Sequence, residues 1–527
     1  MRKVLLMAGA AAACVVLWGA DWPSQGGNPQ RDGWAKYEKA FTRENVHGLQ
    51  LLYTYQADNQ AIGSNALTAP LINGLLITYR GFKEMLVFGG SSNTVYSVDA
   101  DLNRLIWKVQ LSSKVHEANK EARGSCSGGL TAALAMPGSS TASGRAGGFR
   151  RVPVPAPGTP IPPVARRPIT PPSPGLLATG FGRPGAFLAV GNDGDLHVLN
   201  TSTGEDRVPP IPFVPAGANV SSLNVSDEAV YAATSDNCGG APNAIYAADL
   251  SSATPKIASF ATNGTGTSGT LGTAIGKDGT VYAQIASGHG ELAGDYNDTV
   301  IALSSRTLTA KDYFTPTAKQ KAAGKGATPM IFDWKGKELV VAAGGDGSLY
   351  LLDATSLGGP DHHQPLSKTE PIGAAFRGGF ASWEDTATGK RWVYASLNGA
   401  SSAKFPIQNG KALDGSIVAF TMEERDGHPT LVPAWISGNI AAPSPAVIAN
   451  GLVFVLAAGD AKKNSHAVLY ALDGESGKQL YSSQSLVRSF SHSDGLAIAN
   501  KRIYFTTHDN AVYCFGFLAE QMQLTGK

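Results

Sequence analysis

Charge is scarce in this sequence: Asp, Glu, Lys and Arg make up 16% of 527 residues, against roughly 25% in an average globular protein. The two signs nearly cancel, leaving a formal +2, so the broad basic field of a nucleic-acid binder is excluded. Cysteine is rare as well, with 4 in the chain. None sits in Cys-x-x-Cys-His, which excludes a covalently attached c-type haem. Beyond residue 20, no apolar run approaches the roughly 18 residues that span a bilayer. Neither a Ser-His-Asp arrangement nor a phosphate-cradling loop stands out above the glycine-rich background.

Glycine, by contrast, is abundant at 62 residues. With frequent Val, Tyr, Leu and Thr it gives the composition of short strands joined by tight turns. At the N-terminus, Arg2 and Lys3 precede an apolar run from Val4 to Trp18 and a small-residue end, Gly19-Ala20. That order is the pattern of an export signal cut before Asp21. Trp18 is large for its place near the cut, and a lipoprotein reading would use Cys14 after Ala11-Ala12-Ala13. The apolar run continues past Cys14 through Val15 to Trp18, which favours the cut at Ala20. The mature protein is therefore expected to be soluble and periplasmic or extracellular, with no membrane span after signal removal.

Internal repeats outweigh length as a guide to the fold. An apolar-aromatic-small-apolar run followed by a turn recurs in TVYSVDADLNRLIW (94–107), DLHVLNTSTGED (195–206), AIYAADLSSATP (244–255) and TVIALSSRTLTA (299–310). It returns in SLYLLDATSLGG (348–359), SIVAFTMEERDG (416–427), VLYALDGESGKQLY (468–481) and AVYCFGF (511–517), making eight copies. Val95, Ser97 and Asp99 alternate with Tyr96 and Val98, the period of two that marks a strand. A hairpin precedes each copy, as in SPAVIANGLVFVLAAGD (444–460) and LGTAIGKDGTVYAQIA (271–286). Asn450-Gly451 and Asp278-Gly279 read as two-residue turns with positive φ at both positions. Four antiparallel strands per unit, repeated at roughly 40–60 residues, predict a propeller. A sandwich or solenoid would use the same hairpins, but the strand order and regularity favour radial repetition.

The expected fold is thus all-β: an eight-bladed propeller over residues 21–520, after a signal at 1–20 and before a tail at 521–527. The eighth repeat stops after Phe517 without a fourth strand, and residues 49–55 form an unassigned strand. We expect that strand to complete the last blade, since an open edge invites aggregation.

VLYALDGESGKQLY resembles the repeat of pyrroloquinoline-quinone (PQQ) proteins, in which an aromatic-Ala-Leu-Asp run precedes Thr/Ser-Gly-Lys and an aromatic. The opening Trp22-Pro23, Gly26-Gly27-Asn28 and Glu44-Asn45-Val46 resemble the start of quinoprotein alcohol dehydrogenases. SFSHSDGLAIANKRIYFTTHDNAVYCFGF (489–517) is similar to the C-terminal repeat of exported PQQ-binding-like propellers. The resemblance covers nearly all of the chain after residue 21 except 137–184. It implies the propeller fold and, for an active member, PQQ with calcium. Alcohol-oxidising members also carry an adjacent Cys-Cys pair that this chain lacks, and their calcium-ligating Glu and Asn and base Asp match no motif here.

In a propeller, the loops into strand one and those between strands two and three share one face, here termed upper. The first set contains Asn65, Cys126, Asn219, Ser268, Thr328, Arg377, Asn439 and His492, expected to ring the mouth of the axis. Asn65, Arg377, Asn439 and His492 are the candidate ligand or cofactor contacts. Arg377 suits a bidentate carboxylate clamp, and His492 a base or pH-sensitive donor. Exposed-loop Arg and His equally often just pair with nearby carbonyls. Cys126 and Cys238 fall in upper-face loops of neighbouring blades, which predicts a disulfide, with Cys514 as a buried free thiol.

Asn192-Asp193-Gly194-Asp195 resembles part of a calcium loop but lacks the later ligands, so a hairpin turn is the better reading. Asp361-His362-His363 follows a Gly-Gly-Pro turn and reads as a solvated loop. Residues 137–184 are dense in Pro, Gly, Ala and Ser, with six arginines (Arg145, Arg150, Arg151, Arg166, Arg167 and Arg183) and no acid. We expect an extended or disordered insertion between strand one (Leu130–Met136) and strand two (Phe187–Gly191) of the second blade, on the face away from the mouth, either a tolerated surface insertion or a basic arm for an anionic partner. Two functions stand: an exported scaffold that binds a ligand or an envelope protein, or a PQQ- and calcium-dependent dehydrogenase of alcohols or sugars.

Overall fold

The structure is a computed structural model. It describes residues 20–518 apart from 79–80, 112–125, 127, 138–174, 178–184, 291–293, 318–325, 374 and 493–494. The expected signal segment through residue 19, the tail at 521–527 and all six arginines of the insertion lie outside the described residues.

Each of the repeats seen in the sequence falls on a strand, and the repeats assemble as antiparallel meanders. In chain order, the first sheet runs Leu71–Thr78, Gly81–Gly90, Thr94–Asp99 and Arg104–Gln110. A three-stranded sheet of Ala186–Val190, Asp195–Asn200 and Ile211–Pro212 follows. A ten-stranded sheet consists of two meanders, residues 224–261 and 274–314, bridged by the short strand Gly266–Thr267. Next come a four-stranded sheet over 330–368 and a five-stranded one over 375–436, which includes the parallel strand Ile407–Gln408. A further meander spans 447–482. The last sheet joins Ala497–Ala499, Arg502–Thr506 and Ala511–Gly516 to Gln50–Gln56 from the other end of the chain. Gln50 lies opposite Gly516 and Gln56 opposite Ala511. Among the described residues no α-helix occurs, and no helix is long and apolar enough to cross a membrane.

Burial explains the composition of the strands. Middle strands such as Thr94–Asp99, Leu452–Ala457 and Ala511–Gly516 are buried at every position. Both of their faces meet other sheets, so they read as near-continuous apolar and small residues rather than alternating ones. Outer strands such as Arg104–Gln110 and Lys256–Ala261 are mostly exposed. The apolar clusters lie between successive sheets. One joins Met85 and Val87 to Phe187 and Leu199; the largest links Phe454, Tyr504 and Phe515 back to Phe88 and Tyr96. Indole ties add to this: Trp107 Nε1 donates to the Thr201 carbonyl and Trp435 Nε1 to that of Gly474.

Two local readings are corrected. Leu130–Met136 is buried but forms no strand; Ala135 alone bridges, to Ser24 and Leu188, because residues 22–24 take one side of it. At Asp278-Gly279, Gly279 has φ +82 while Asp278 does not take positive φ. The Gly276 N–H donates to Thr280 O and the Asp278 carboxylate accepts from Thr280 N, so the loop is a longer turn closed by one left-handed glycine. Asn450 and Gly451 do both take positive φ. Within the insertion, Leu177 is buried and Leu176 N donates to Leu250 O, since two adjacent leucines find apolar cover there.

Candidate functional site along the axis

Residues 20–41 form a strap of irregular backbone whose hydrogen bonds fan out to the innermost strands. Trp22 exchanges backbone bonds with Ile72 (2.8 and 3.0 Å), and the Pro23 carbonyl accepts from Met136 N at 2.8 Å. The Pro29 carbonyl accepts from Ile275 N (2.8 Å) and that of Gln30 from Ile331 N (3.0 Å). Asp32 O takes the Ser382 N–H, and Gly33 O takes that of Ile448, each at 2.8 Å. Asn224 Nδ2 also donates to Pro29 O at 2.9 Å. So short a segment can touch all these strands only where they converge. The strap therefore crosses the axis, at the lower end. Asn450 Nδ2 donates to Phe41 O, Lys501 N to Glu38 Oε2 and Ala20 N to Asn500 Oδ1, all from turns of that face.

At the hub sits Arg31, 0% exposed. Its Nε donates to Thr273 O (3.1 Å), Nη2 to Leu223 O (2.9 Å), and Nη1 to Ser24 Oγ (3.1 Å) and the Gln25 carbonyl. Burial pulls its pKa down to about 9, still cationic at neutral pH. Next to it, Asp32 is partly accessible yet surrounded by protein. Burial pushes its carboxyl up to about 6, against the pull of the Trp34 N–H, Asn28 and Arg391.

Toward the upper face, strand Ala375–Asp385 bulges between Phe376 and Phe380. The bulge holds Arg377, Gly378 and Gly379, and its two glycines press against residues of other units. Gly378 (φ +71) accepts from Thr328 N at 2.9 Å, and a Cβ there would lie 2.5 Å from Pro445 Cγ and 3.5 Å from Thr270 Oγ1. A Cβ on Gly379 would meet Leu271 Cδ1 at 2.6 Å. Only glycine permits this approach. Arg377 is half-buried at the start of the bulge. The hydroxyls of Ser268 and Thr270, in the loop leading into the unit over 274–314, are buried without a hydrogen-bond partner.

Most of the other upper-face residues have hydrogen-bond partners of their own. Thr328 is joined to this group, its Oγ1 donating to Ser268 O and accepting from Leu271 N. Asn65 is buried and gives its amide to the Gly128 and Leu130 carbonyls, a tie between units. His492 Nε2 lies 3.4 Å from Ser64 Oγ, the neighbour of Asn65 in sequence. Asn439 is exposed and ties the turn ahead of strand Gly415–Arg425, accepting from Leu413 N and Asp414 N and donating to the Asp414 carboxylate. Asn219 donates to Ser235 Oγ and Asp236 Oδ2. Cys126 and Cys238 are disulfide-bonded with Cα atoms 5.7 Å apart, and Cys514 is a buried free thiol. Farther out on the upper face, Asp298 accepts from Gly345 N, and burial with nearby Asp346 raises its carboxyl to about 6.

Among the described residues, no three His, Cys, Asp or Glu side chains are grouped to hold a metal ion. His362 stacks on Tyr313 beside Asp312, whereas His363 bonds Thr315 O, so the two imidazoles do not converge on one ion. Among the described residues, then, no such cluster fits a carboxylate-held calcium. Sequence reasoning missed the strap altogether: Gln25 to Gly33 has neither a helical nor a strand period, and its one buried charge is a lone Arg.

The sequence matches no family model and no curated protein. Its shape is similar to solved structures. A quinohemoprotein alcohol dehydrogenase from Pseudomonas putida HK5 is 12% identical at a TM-score of 0.55, covering 94% of this chain and 80% of that one. The quinohemoprotein alcohol dehydrogenase of Comamonas testosteroni is 13% identical, with a TM-score of 0.55 and the same coverage. A europium-containing methanol dehydrogenase is 12% identical at 0.56, covering 94% of this chain and 98% of its own. The chain has the β-propeller fold that these quinoprotein dehydrogenases share.

Proposed function

We propose that the protein is an exported, eight-bladed propeller, closed by strand Gln50–Gln56, that serves in the cell envelope as a ligand-binding or protein-interaction scaffold. Counting the two meanders of the ten-stranded sheet separately gives eight units. A disulfide between Cys126 and Cys238 suits an oxidising compartment. One observation carries the binding role. The lower end of the axis is filled by the chain itself, while at the upper side a glycine bulge brings Gly378, the residue after Arg377, close to Thr270, whose hydroxyl, like that of Ser268, is buried without a partner. Buried polar groups seek partners, and a guanidinium with adjacent hydroxyls suits a carboxylate or similar anion. Residues 137–184 are read as a surface insertion of the second unit.

A second reading, a PQQ-dependent dehydrogenase of alcohols or sugars, is favoured by the shape likeness to quinoprotein enzymes over 94% of this chain. The missing adjacent cysteine pair and the lack of a metal-holding group among the described residues weigh against it. The test is calorimetric titration with citrate as a polycarboxylate probe, alongside dye-linked oxidation of ethanol, methanol and glucose with added PQQ and calcium. We expect citrate binding that Arg377→Ala weakens at least tenfold, and no turnover. Turnover requiring PQQ and calcium would establish the dehydrogenase instead.

A further inference from the structure

The strap has no counterpart in what a ligand-binding face requires, and its contacts have an unusual distribution. Its carbonyls at Trp22, Pro23, Pro29, Gln30, Asp32 and Gly33 each take a backbone N–H from a different unit. Those units, from the one holding Ile72 to the one holding Ile448, are otherwise linked to their neighbours mainly through the apolar clusters between adjacent sheets. The last sheet is reached as well, through Glu38 to Lys501 N and Ala20 to Asn500. Arg31 adds further cross-links, because one guanidinium holds carbonyls at 222–223 and 273 together with the strap's own turn at 24–25. A buried cation satisfied by neutral acceptors in place of a carboxylate fixes the geometry of every group around it, since losing any one leaves a charge under-solvated.

We propose that residues 20–36 are an axle: one inserted segment that ties the units to each other, closes the lower end of the axis, and makes the ring unfold as a single body. A ring of repeats held by neighbour contacts alone opens locally, because each unit's stability depends on the units beside it. A segment bonded to nearly all units at once removes that freedom, since no unit can leave without breaking buried backbone bonds of the strap. Closure of the lower end also means that solutes reach the axis from the upper face. The proposal holds whichever ligand that face takes.

The experiment uses the full chain with a site-specific protease sequence inserted between Lys36 and Tyr37, both exposed, and cut after folding. We expect the axial fragment to stay bound through gel filtration and to leave only in the global unfolding transition. The amides of Ile275, Ile331, Ser382 and Ile448, which donate to the strap, are expected to exchange hydrogen as slowly as those of the buried middle strands. Loss of the fragment together with collapse of the ring supports the axle equally. Release of the fragment from a ring whose melting midpoint and exchange are unchanged overturns the axle, as does fast exchange at those four amides beside protected middle strands. Arg31→Met is the companion variant, expected to lower the melting midpoint by several degrees with one transition retained. An unchanged midpoint would show that Arg31 is no part of the axle's hold.

Discussion

The seam between the first and last sheets holds a buried acid whose cost is open to measurement. Glu84, on strand Gly81–Gly90, is 7% exposed, and burial raises its carboxyl to about 7 from an ordinary 4.5. Arg502 (Nη1 3.8 Å away) and the Tyr504 hydroxyl (3.5 Å), both from the last sheet, offset that only in part, while Asp101 adds to it. Arg502 in turn is shared with Asp101 at 2.8 Å and the Ala100 carbonyl. A folded-state pKa above the unfolded one means that the folded protein holds the extra proton between pH 4.5 and 7. Stability is therefore unaffected by this group below pH 4.5, falls as pH rises through that window, and carries the full cost above about 7. Each pH unit of the window removes about 1.4 kcal/mol, so the whole cost approaches about 3 kcal/mol. Asp32 and Asp298, also raised, act in the same direction at lower pH. Urea unfolding followed by tryptophan fluorescence at pH 4.5, 6 and 8 should thus compare the parent with Glu84→Gln, so that those other acids cancel. The variant should gain on the parent by about 3 kcal/mol between pH 4.5 and 8, because an amide keeps the shape without the charge. A difference between the two proteins that stays constant across this range, or shrinks toward pH 8, would refute the assignment.

The remaining predictions concern cysteine and glycine. Replacing Cys126 and Cys238 together by Ser frees a loop with a sequence separation of 112, which the chain-entropy model puts at about 5 kcal/mol; a urea midpoint unchanged by the double variant would argue against that magnitude. In the same preparations Cys514, whose thiol burial pushes up to about 12, should resist alkylation until the protein unfolds, as read by peptide mapping. Gly378→Ala must hold alanine at φ +71 with its Cβ against Pro445, costing about 1–3 kcal/mol, and should weaken citrate binding with Arg377 still in place. Calorimetry on the folded variant decides that second point.

Where a strand repeats, the sequence was readable, because the middle strand of each unit must be apolar on both faces and must end in a turn. TVYSVD, DLHVLN, AIYAAD, VLYALD and AVYCFG all lie on strands at the residues where the pattern put them. The loops were readable in outline only. Positions on a face follow from strand alternation, which brought Cys126 to Cys238. How a loop's side chains are aimed depends on bulges such as that between Phe376 and Phe380, and a bulge has no period to detect. Leu130–Met136 misled for a related reason: its burial comes from the strap and neighbouring sheets, so apolar content arose without a ladder. The strap itself carries its interactions on backbone carbonyls, which are the same in every sequence.

The pairing of Gln50–Gln56 with Ala511–Gly516 has a consequence in time. Ala20 and Asn500, 480 positions apart, also bond to each other, so the last sheet is made from the earliest and latest parts of the chain. A polypeptide emerging from a ribosome N-terminus first cannot build this sheet until residues 511–516 are free. During that interval the strand at 50–56 and the strap at 20–41 have no completed set of partners, and their donors and acceptors stay in water or on a holding protein. Contacts of such long range are slow to form. Synthesis of residues 511–516 therefore comes before this fold is complete, which keeps the chain open for as long as those residues are still to come.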